Sequence, residues 1–364
     1  MKLIFLRWMI ILSPLLVQCQ GKQAEILYTM PEESELHEAT WLQWPHEHQY
    51  GRDYRDNLDQ TWVDMTKALA TSEMVHIIAY DDAAQERIEM MLEEAGVKME
   101  KVDFFIFKTD DVWVRDNGPI YARDKSGQIV VQDWGFNGWG EKAKRHYCDK
   151  IPEQIANEQG KKWIDINKIM INEGGSVVID GKGSFMACRS SILNINRNNM
   201  DQEEAEEIFT KYLGVTNFIW LDGVPGLEIT DMHIDGFARF GNHETIVTMS
   251  KEDLQEWSVP DEDIEILYQA KNKEGKKYKH LILPLTSAEV VKPSGEVLDY
   301  KGSYINYYIA NTVVLVPNYN DKDDQIANKI IQSLYPTRKV IGIDVRNLYA
   351  NGGMIHCVTQ QQPK

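Results

Sequence analysis

Apolar and polar positions alternate along this chain in short blocks, and the blocks predict a mixed α/β protein. Runs at Trp41–Trp44, Met74–Tyr80, Val102–Phe107, Ile129–Trp134, Ser176–Ile179, Phe218–Leu221, Thr245–Met249, Leu281–Leu285, Tyr304–Ala310, Thr312–Pro317 and Val340–Val345 read as strands. Many are rich in Val, Ile, Phe and Tyr, which fit a pleated, half-buried surface. Helical patterns lie between them. Asn57–Ala70 repeats Leu58, Trp62, Met65, Ala68 and Leu69; Ala83–Glu94 runs toward a glycine stop at Gly96; Asp323–Leu334 ends ahead of Pro336. Asp201 can cap a helix over Gln202–Leu213, with Glu204 at its third position and Gly214 just past its end. Turn sequences at Arg123–Gly127, Asp180–Gly183 and Ala310–Asn311 join strand pairs. The units are therefore modules containing hairpins and helices, not one simple doubly wound sheet.

The first residues follow a different pattern. Lys2 and Arg7 precede an apolar run from Trp8 to Val17, and polar sequence begins at Gln18. This is the layout of a signal peptide over residues 1–19, too short for a comfortable membrane span. Leu16-Val17-Gln18-Cys19 loosely matches a lipoprotein box, with Gln18 where a small residue is expected. Export is the expectation, whether periplasmic, secreted or lipid-anchored through Cys19; an uncleaved leader or a start at Met30 would make the protein cytoplasmic. From Gln20 onward no low-complexity linker divides the chain, so residues 26–362 are expected to form one catalytic domain.

Composition excludes more than it specifies. A net charge of −17 disfavours a general nucleic-acid surface and suits a small cationic ligand. No glycine-rich phosphate loop opens a helix, and no Cys/His spacing fits a structural zinc, so no cofactor, metal or integral membrane domain is expected. A homo-oligomer is allowed but not specified. Cys148 and Cys188 could pair in an oxidising compartment or remain as two buried thiols.

Polar residues gather where strands stop, in four clusters. Asp110-Asp111-Val112-Trp113-Val114-Arg115-Asp116-Asn117-Gly118-Pro119 could clamp a cation against tryptophan, or be a solvated turn with a local Arg–Asp pair. Asn172-Glu173-Gly174-Gly175 reads as a site or as a plain bulge. In a strand, His233 and Asp235 would share one face, to bind or exchange protons, or simply to hold a satisfied core histidine. Near the chain end, Gly352-Gly353-Met354-Ile355-His356-Cys357 leads into a glutamine-rich polar tail. Cys357 is a nucleophile or a buried structural thiol, and by composition His356 is its neighbouring activator. Together the clusters offer a thiol, an imidazole and three carboxylates, a set suited to covalent chemistry on a cationic carbon.

At these residues the chain resembles the agmatine deiminase and Porphyromonas-type peptidylarginine deiminase family of guanidine-modifying enzymes. The motifs run in order from Met30-Pro31-Glu32 and His37-Glu38-Ala39-Thr40-Trp41 through Trp113–Pro119, Phe136–Gly140, Glu173–Ser176, Asn194–Asn198, His233–Asp235 and Ser303–Asn311 to Gly352–Gln361. The resemblance implies a pentein fold, an α/β propeller of five ββαβ-type modules around a pseudo-fivefold axis. It implies Cys357 as nucleophile, His233 as general acid/base, Asp116 and Asp235 as the guanidinium grip, and Glu173 as the partner of His233. Trp113, Asn137 and Gly353 would line the substrate channel. On this reading His356 is a structural bystander, and truncating the last ten residues would leave a folded chain without activity.

Three functions stay in view. Agmatine deimination to N-carbamoylputrescine leads, because Phe136–Gly140, Asn194–Asn198 and the C-terminal motif resemble that branch. Two departures weigh against it: Cys188-Arg189-Ser190-Ser191 and Gly236 differ from that branch's usual residues. An exported deiminase of peptidyl or free arginine is the alternative; it would need a cation for the substrate carboxylate, which Gly138-Trp139-Gly140 does not supply. An inactive guanidine-binding protein is the third.

Overall fold

The computed structural model describes residues 24–364. The leader and Cys19 readings lie outside the described residues. Those residues form five sheets, each opening on an antiparallel strand pair and continuing through helix to a parallel strand. The second module pairs Ile120–Asp124 with Ile129–Asp133 and, across helix Ile151–Glu158, adds Trp163–Asp165. The third runs Val177–Ile179, Ser184–Cys188, helix Gln202–Leu213, Asn217–Leu221. The fourth runs Ala238–Asn242, Thr245–Thr248, helices Lys251–Glu256 and Asp261–Gln269, Lys279–Ile282. The fifth runs Tyr308–Ile309, Val313–Asn318, helix Asp324–Leu334, Lys339–Asp344. This is the expected pentein architecture of ββαβ-type modules.

The first module closes the ring with both ends of the chain. Gln360–Pro363 pairs antiparallel with His37–Gln43, which continues through parallel strands Met74–Ala79 and Val102–Ile106. The glutamine tail is consequently no polar fringe: Gln360, Gln361 and Gln362 are buried. Trp41 Nε1 and Tyr121 Oη donate to Gln362 Oε1 at 2.9 and 3.0 Å, and Arg115 Nη1 donates to Gln361 Oε1 at 2.9 Å. Truncating the last ten residues removes an inner strand contact and orphans these buried donors. The expectation of a folded truncation product is therefore withdrawn.

Local signals explain most elements. Asp201 and Glu204 form a reciprocal capping box, and Gly214 takes the left-handed turn at φ 76° that ends the helix. The helix expected over Asn57–Ala70 reaches back to Glu47, with a break at Gly51, where φ is 84°. Helices at Ile151–Glu158, Lys251–Glu256 and Asp261–Gln269 are short and escape a periodicity reading. Within Tyr304–Ala310 only Tyr308–Ile309 is strand. The preceding residues face the C-terminal segment instead, with His356 N donating to Asn306 O at 3.1 Å. Cys148 and Cys188 are both free and buried. No helix among the described residues is long and apolar enough to cross a membrane.

Candidate active site

Each module delivers one short segment to a common centre, a few residues ahead of its first strand. The second module contributes the helical turn Val114–Asn117 with Asp116, and the third the turn Gly174–Ser176 preceded by Glu173. The fourth contributes His233 and the turn Ile234–Gly236 with Asp235; the fifth contributes Asn306; the first contributes His356–Val358 with Cys357. His233 and Asp235 thus lie on a turn, so the strand alternation considered for them does not apply. A tight turn still aims both inward, and two left-handed residues before it, Asp231 (φ 61°) and Met232 (φ 75°), set its direction.

His233 is held between two carboxylates. Its Nε2 lies 3.1 Å from Glu173 Oε2 and its Nδ1 3.6 Å from Asp116 Oδ1. Glu173 is fully buried and braced by Arg197, whose Nε donates to Oε1 at 2.8 Å. Arg197 also pairs with Asp231, linking Glu173 to the segment that carries His233. Burial pulls the His233 imidazolium down, but Asp116 and Glu173 more than offset it and carry the group to about 9.

Asp116 accepts from Gly175 N at 3.0 Å and from Trp139 Nε1 at 2.9 Å. Burial raises its carboxyl to about 6, with Glu173 and Asp235 adding repulsion and His233 opposing. A side chain at Gly175 would put its Cβ 2.7 Å from His233 Nδ1, 2.8 Å from Asp116 Oδ1 and 3.1 Å from Asp235 Oδ2. Glycine is required there for space, since the missing side chain would fill the point where the three groups meet.

Cys357 is partly exposed, unlike the other two thiols among the described residues. Its Sγ and its N–H lie 3.5 and 3.4 Å from Asn306 Oδ1, which also accepts from His356 N at 2.9 Å. Burial, then Asp235 and Asp116, pushes the thiol up. Gly353 lets the Trp113 ring approach; a Cβ there would stand 2.3 Å from the ring. Trp113 and Gly353 are therefore in contact beside the segment that carries Cys357. Asn137 spends both ends of its amide on the protein, accepting from Gly140 N at 2.7 Å and donating to Asn196 O at 2.8 Å. The expected channel contact of Asn137 gives way to a loop clasp, and Trp139 is the residue of that motif that reaches the centre.

His356 is not the bystander expected. Its Nδ1 lies 2.7 Å from Asp235 Oδ2 and its Nε2 2.8 Å from Glu33 Oε2. Sequence reasoning also gave no role to Glu33, Arg197, Asn306 or Trp139. Three of these stood inside quoted motifs, and only Asn306, a polar residue between Ile305 and Tyr307, carried a local signal. In chemical terms the centre offers a thiol, a charged acid/base and carboxylates on two sides, an arrangement for gripping a planar cation and attacking its carbon.

The profile of the Porphyromonas-type peptidyl-arginine deiminase family matches residues 29–363. The agmatine deiminase of Pseudomonas aeruginosa (strain LESB58) is 28% identical, over 92% of this chain and 95% of its own length. The C. jejuni agmatine deiminase with substrate bound has a TM-score of 0.78 at 26% identity, over 93% of this chain and 97% of its own. The Enterococcus faecalis agmatine deiminase, at 24% identity and a TM-score of 0.83, covers 93% of this chain and 96% of its own and shares the fold.

Proposed function

The chain belongs to the Porphyromonas-type peptidyl-arginine deiminase family, and we propose that it hydrolyses agmatine to N-carbamoylputrescine and ammonia. The observation that carries this reading is the convergence of Cys357, His233, Asp116, Glu173 and Asp235 from four modules onto one centre, in a chain whose full-length relatives include agmatine deiminases. Asp116 and Asp235 hold the guanidinium flat. Cys357 Sγ bonds to its carbon, the C–N bond breaks, and ammonia leaves with a proton from His233. Water then adds to the S-alkylthiouronium carbon, giving one proton to His233; the C–S bond breaks as the carbonyl forms, and the hydroxyl proton returns to Cys357 to restore the resting thiol.

The proton inventory fits this order. With His233 raised to about 9, the neutral-pH form is the imidazolium that can protonate departing ammonia. The thiol is held protonated by burial and by the same carboxylates that grip substrate. An arriving guanidinium neutralises those carboxylates and the thiol proton leaves to solvent, since His233 already carries its own, so binding and thiol activation are one event.

An amine tail suits the site better than a carboxylate tail. Gly138-Trp139-Gly140 carries no cation, Arg115 is paired with Glu33, and Arg197 is paired with Glu173 and Asp231. The test is ammonia release from agmatine, free arginine and a peptide ending in arginine, using wild type and Cys357→Ala. Agmatine should be strongly preferred and the variant inert. Preference for the peptide would overturn the substrate reading, and turnover by Cys357→Ala would overturn the mechanism. We also infer export, on the basic-then-apolar order of residues 1–19; a mature N-terminus that retains those residues would sink it.

A further inference from the structure

Behind Asp235 lies a buried charged chain that the mechanism above does not use. Glu33, on the segment before the first-module strand, fills both of its oxygens. Oε1 accepts from Arg239 Nη2 and from Ile309 N, each at 2.8 Å. Oε2 meets His356 Nε2 at 2.8 Å and Arg115 Nη2 at 3.6 Å. His356 passes the contact on through Nδ1 to Asp235 Oδ2 at 2.7 Å. The side chains of Glu33 and His356 are 11% and 4% exposed, so this is no surface ion pair.

The chemistry of the contacts is restrictive. An ionised carboxylate only accepts, so an imidazole between two of them must donate from both nitrogens. Asp235 is left with one oxygen taken by His356; among the described residues its Oδ1 accepts no protein hydrogen bond. Asn306 Nδ2 donates to Asp235 O at 3.2 Å while Asn306 Oδ1 receives His356 N, so the two segments are also clamped through their backbones. We propose that Glu33 and His356 are positioning residues for the guanidinium site: Glu33 orients His356, and His356 binds Asp235 Oδ2 so that the carboxylate meets substrate as a fixed anion.

The charges facing this chain agree with that role. Arg115 and Arg239 flank Glu33, with Tyr307, Tyr308 and Tyr335 around them. Asp116 and the Cys357 thiol face Asp235 from other modules and His233 from its own, with Glu173 beyond His233. Two arginines and a doubly donating imidazole against Glu33 and Asp235 leave this side with a positive excess. That excess favours the ionised form of Asp235, and burial alone would do the opposite. Its carboxyl is held below the ordinary range, burial opposing and His356 prevailing.

The inference rests on the guanidinium-binding reading, and a binding measurement separates the two. In the full chain carrying Cys357→Ser, agmatine affinity is measured by calorimetry across the acid range, with and without a second change at His356 or Glu33. His356→Ala should weaken binding about ten- to a hundredfold near neutrality, the range for a lost charge-assisted hydrogen bond, with the acid-side loss of affinity beginning at higher pH. His356→Asn keeps a donor near the Nδ1 position and should recover much of the affinity while leaving the Glu33 link broken. Glu33→Gln should move the acid-side loss in the same direction by a smaller amount. No agmatine binding by the Cys357→Ser parent overturns the functional reading itself. A parent that binds, with variants that match it at every pH or lose affinity uniformly at every pH, overturns the relay.

Discussion

Asp116 and Asp235 are both buried aspartates facing His233, yet their surroundings drive them in opposite directions. Asp116 is served by neutral donors, a backbone N–H and the Trp139 indole, and its carboxyl rises to about 6. Asp235 is served by His356 and, behind it, by Glu33 and two arginines, and its carboxyl falls below the usual range. Burial raises both by disfavouring charge. Both face the His233 charge; the difference is that Asp235 gains a second, directly hydrogen-bonded ring in His356 with arginine behind it, whereas Asp116 has only dipoles besides His233 and is repelled by Glu173 and Asp235. One site can thereby hold a permanent anion beside a carboxyl whose charge responds to substrate.

The severest challenge to this contrast is to neutralise each aspartate in turn. Asp235→Asn strands His356 and its arginine-backed network, and kcat/KM for agmatine should fall by roughly 10²–10⁴-fold, the range for breaking a buried charge pair. Asp116→Asn should cost less at pH 6 than at pH 8, because its carboxyl is half protonated near 6. Equal losses at both pH values would erase the distinction. Gly175→Ala intrudes on both sides at once and should lower kcat/KM by about 10²-fold, as an ångström-scale misplacement does, while a thermal melt shows little change.

A smaller effect sharpens the Asp116 half. The Trp139 indole lowers the Asp116 carboxyl, so Trp139→Phe should move the acid limb of kcat/KM upward by roughly one pH unit or less; an unmoved limb would show that the indole does not set this group. The smallest signal is in stability. His233 rises from an ordinary 6.5 to about 9, so its contribution is fully present below about 6.5 and is lost as pH climbs through about 9. The free energy of unfolding should decline across that window by an amount on the order of 3 kcal/mol or less, seen as a falling melting temperature, and His233→Gln should flatten the decline. A variant with the wild-type slope would assign the decline to other groups.

The modular fold was largely legible in the chain. Hairpin turns at Arg123–Gly127 and Asp180–Gly183, the Asp201 cap and the Gly214 stop are local codes, decided within a few residues. The five-module ring was implied only by the family resemblance, since no repeat is visible in spacing. Short helices such as Lys251–Glu256 were missed because six residues hold too few turns for a periodicity to register.

The site divides the same way. Its reactive groups could be picked out because a thiol, an imidazole and carboxylates beside glycine are recognisable as residue types. Their partners could not. Glu33 and His356 stand 323 positions apart, and Arg197 and Glu173 meet through a turn that no pattern announces. By itself the sequence determined the modules and the inventory of chemistry, because turns, caps and side-chain types are local properties. Closing the ring alone decided that Asp235 would gain His356 and the arginines behind it while Asp116 would share its side of the site with Glu173, because proton affinity depends on whatever the fold brings within a few ångströms.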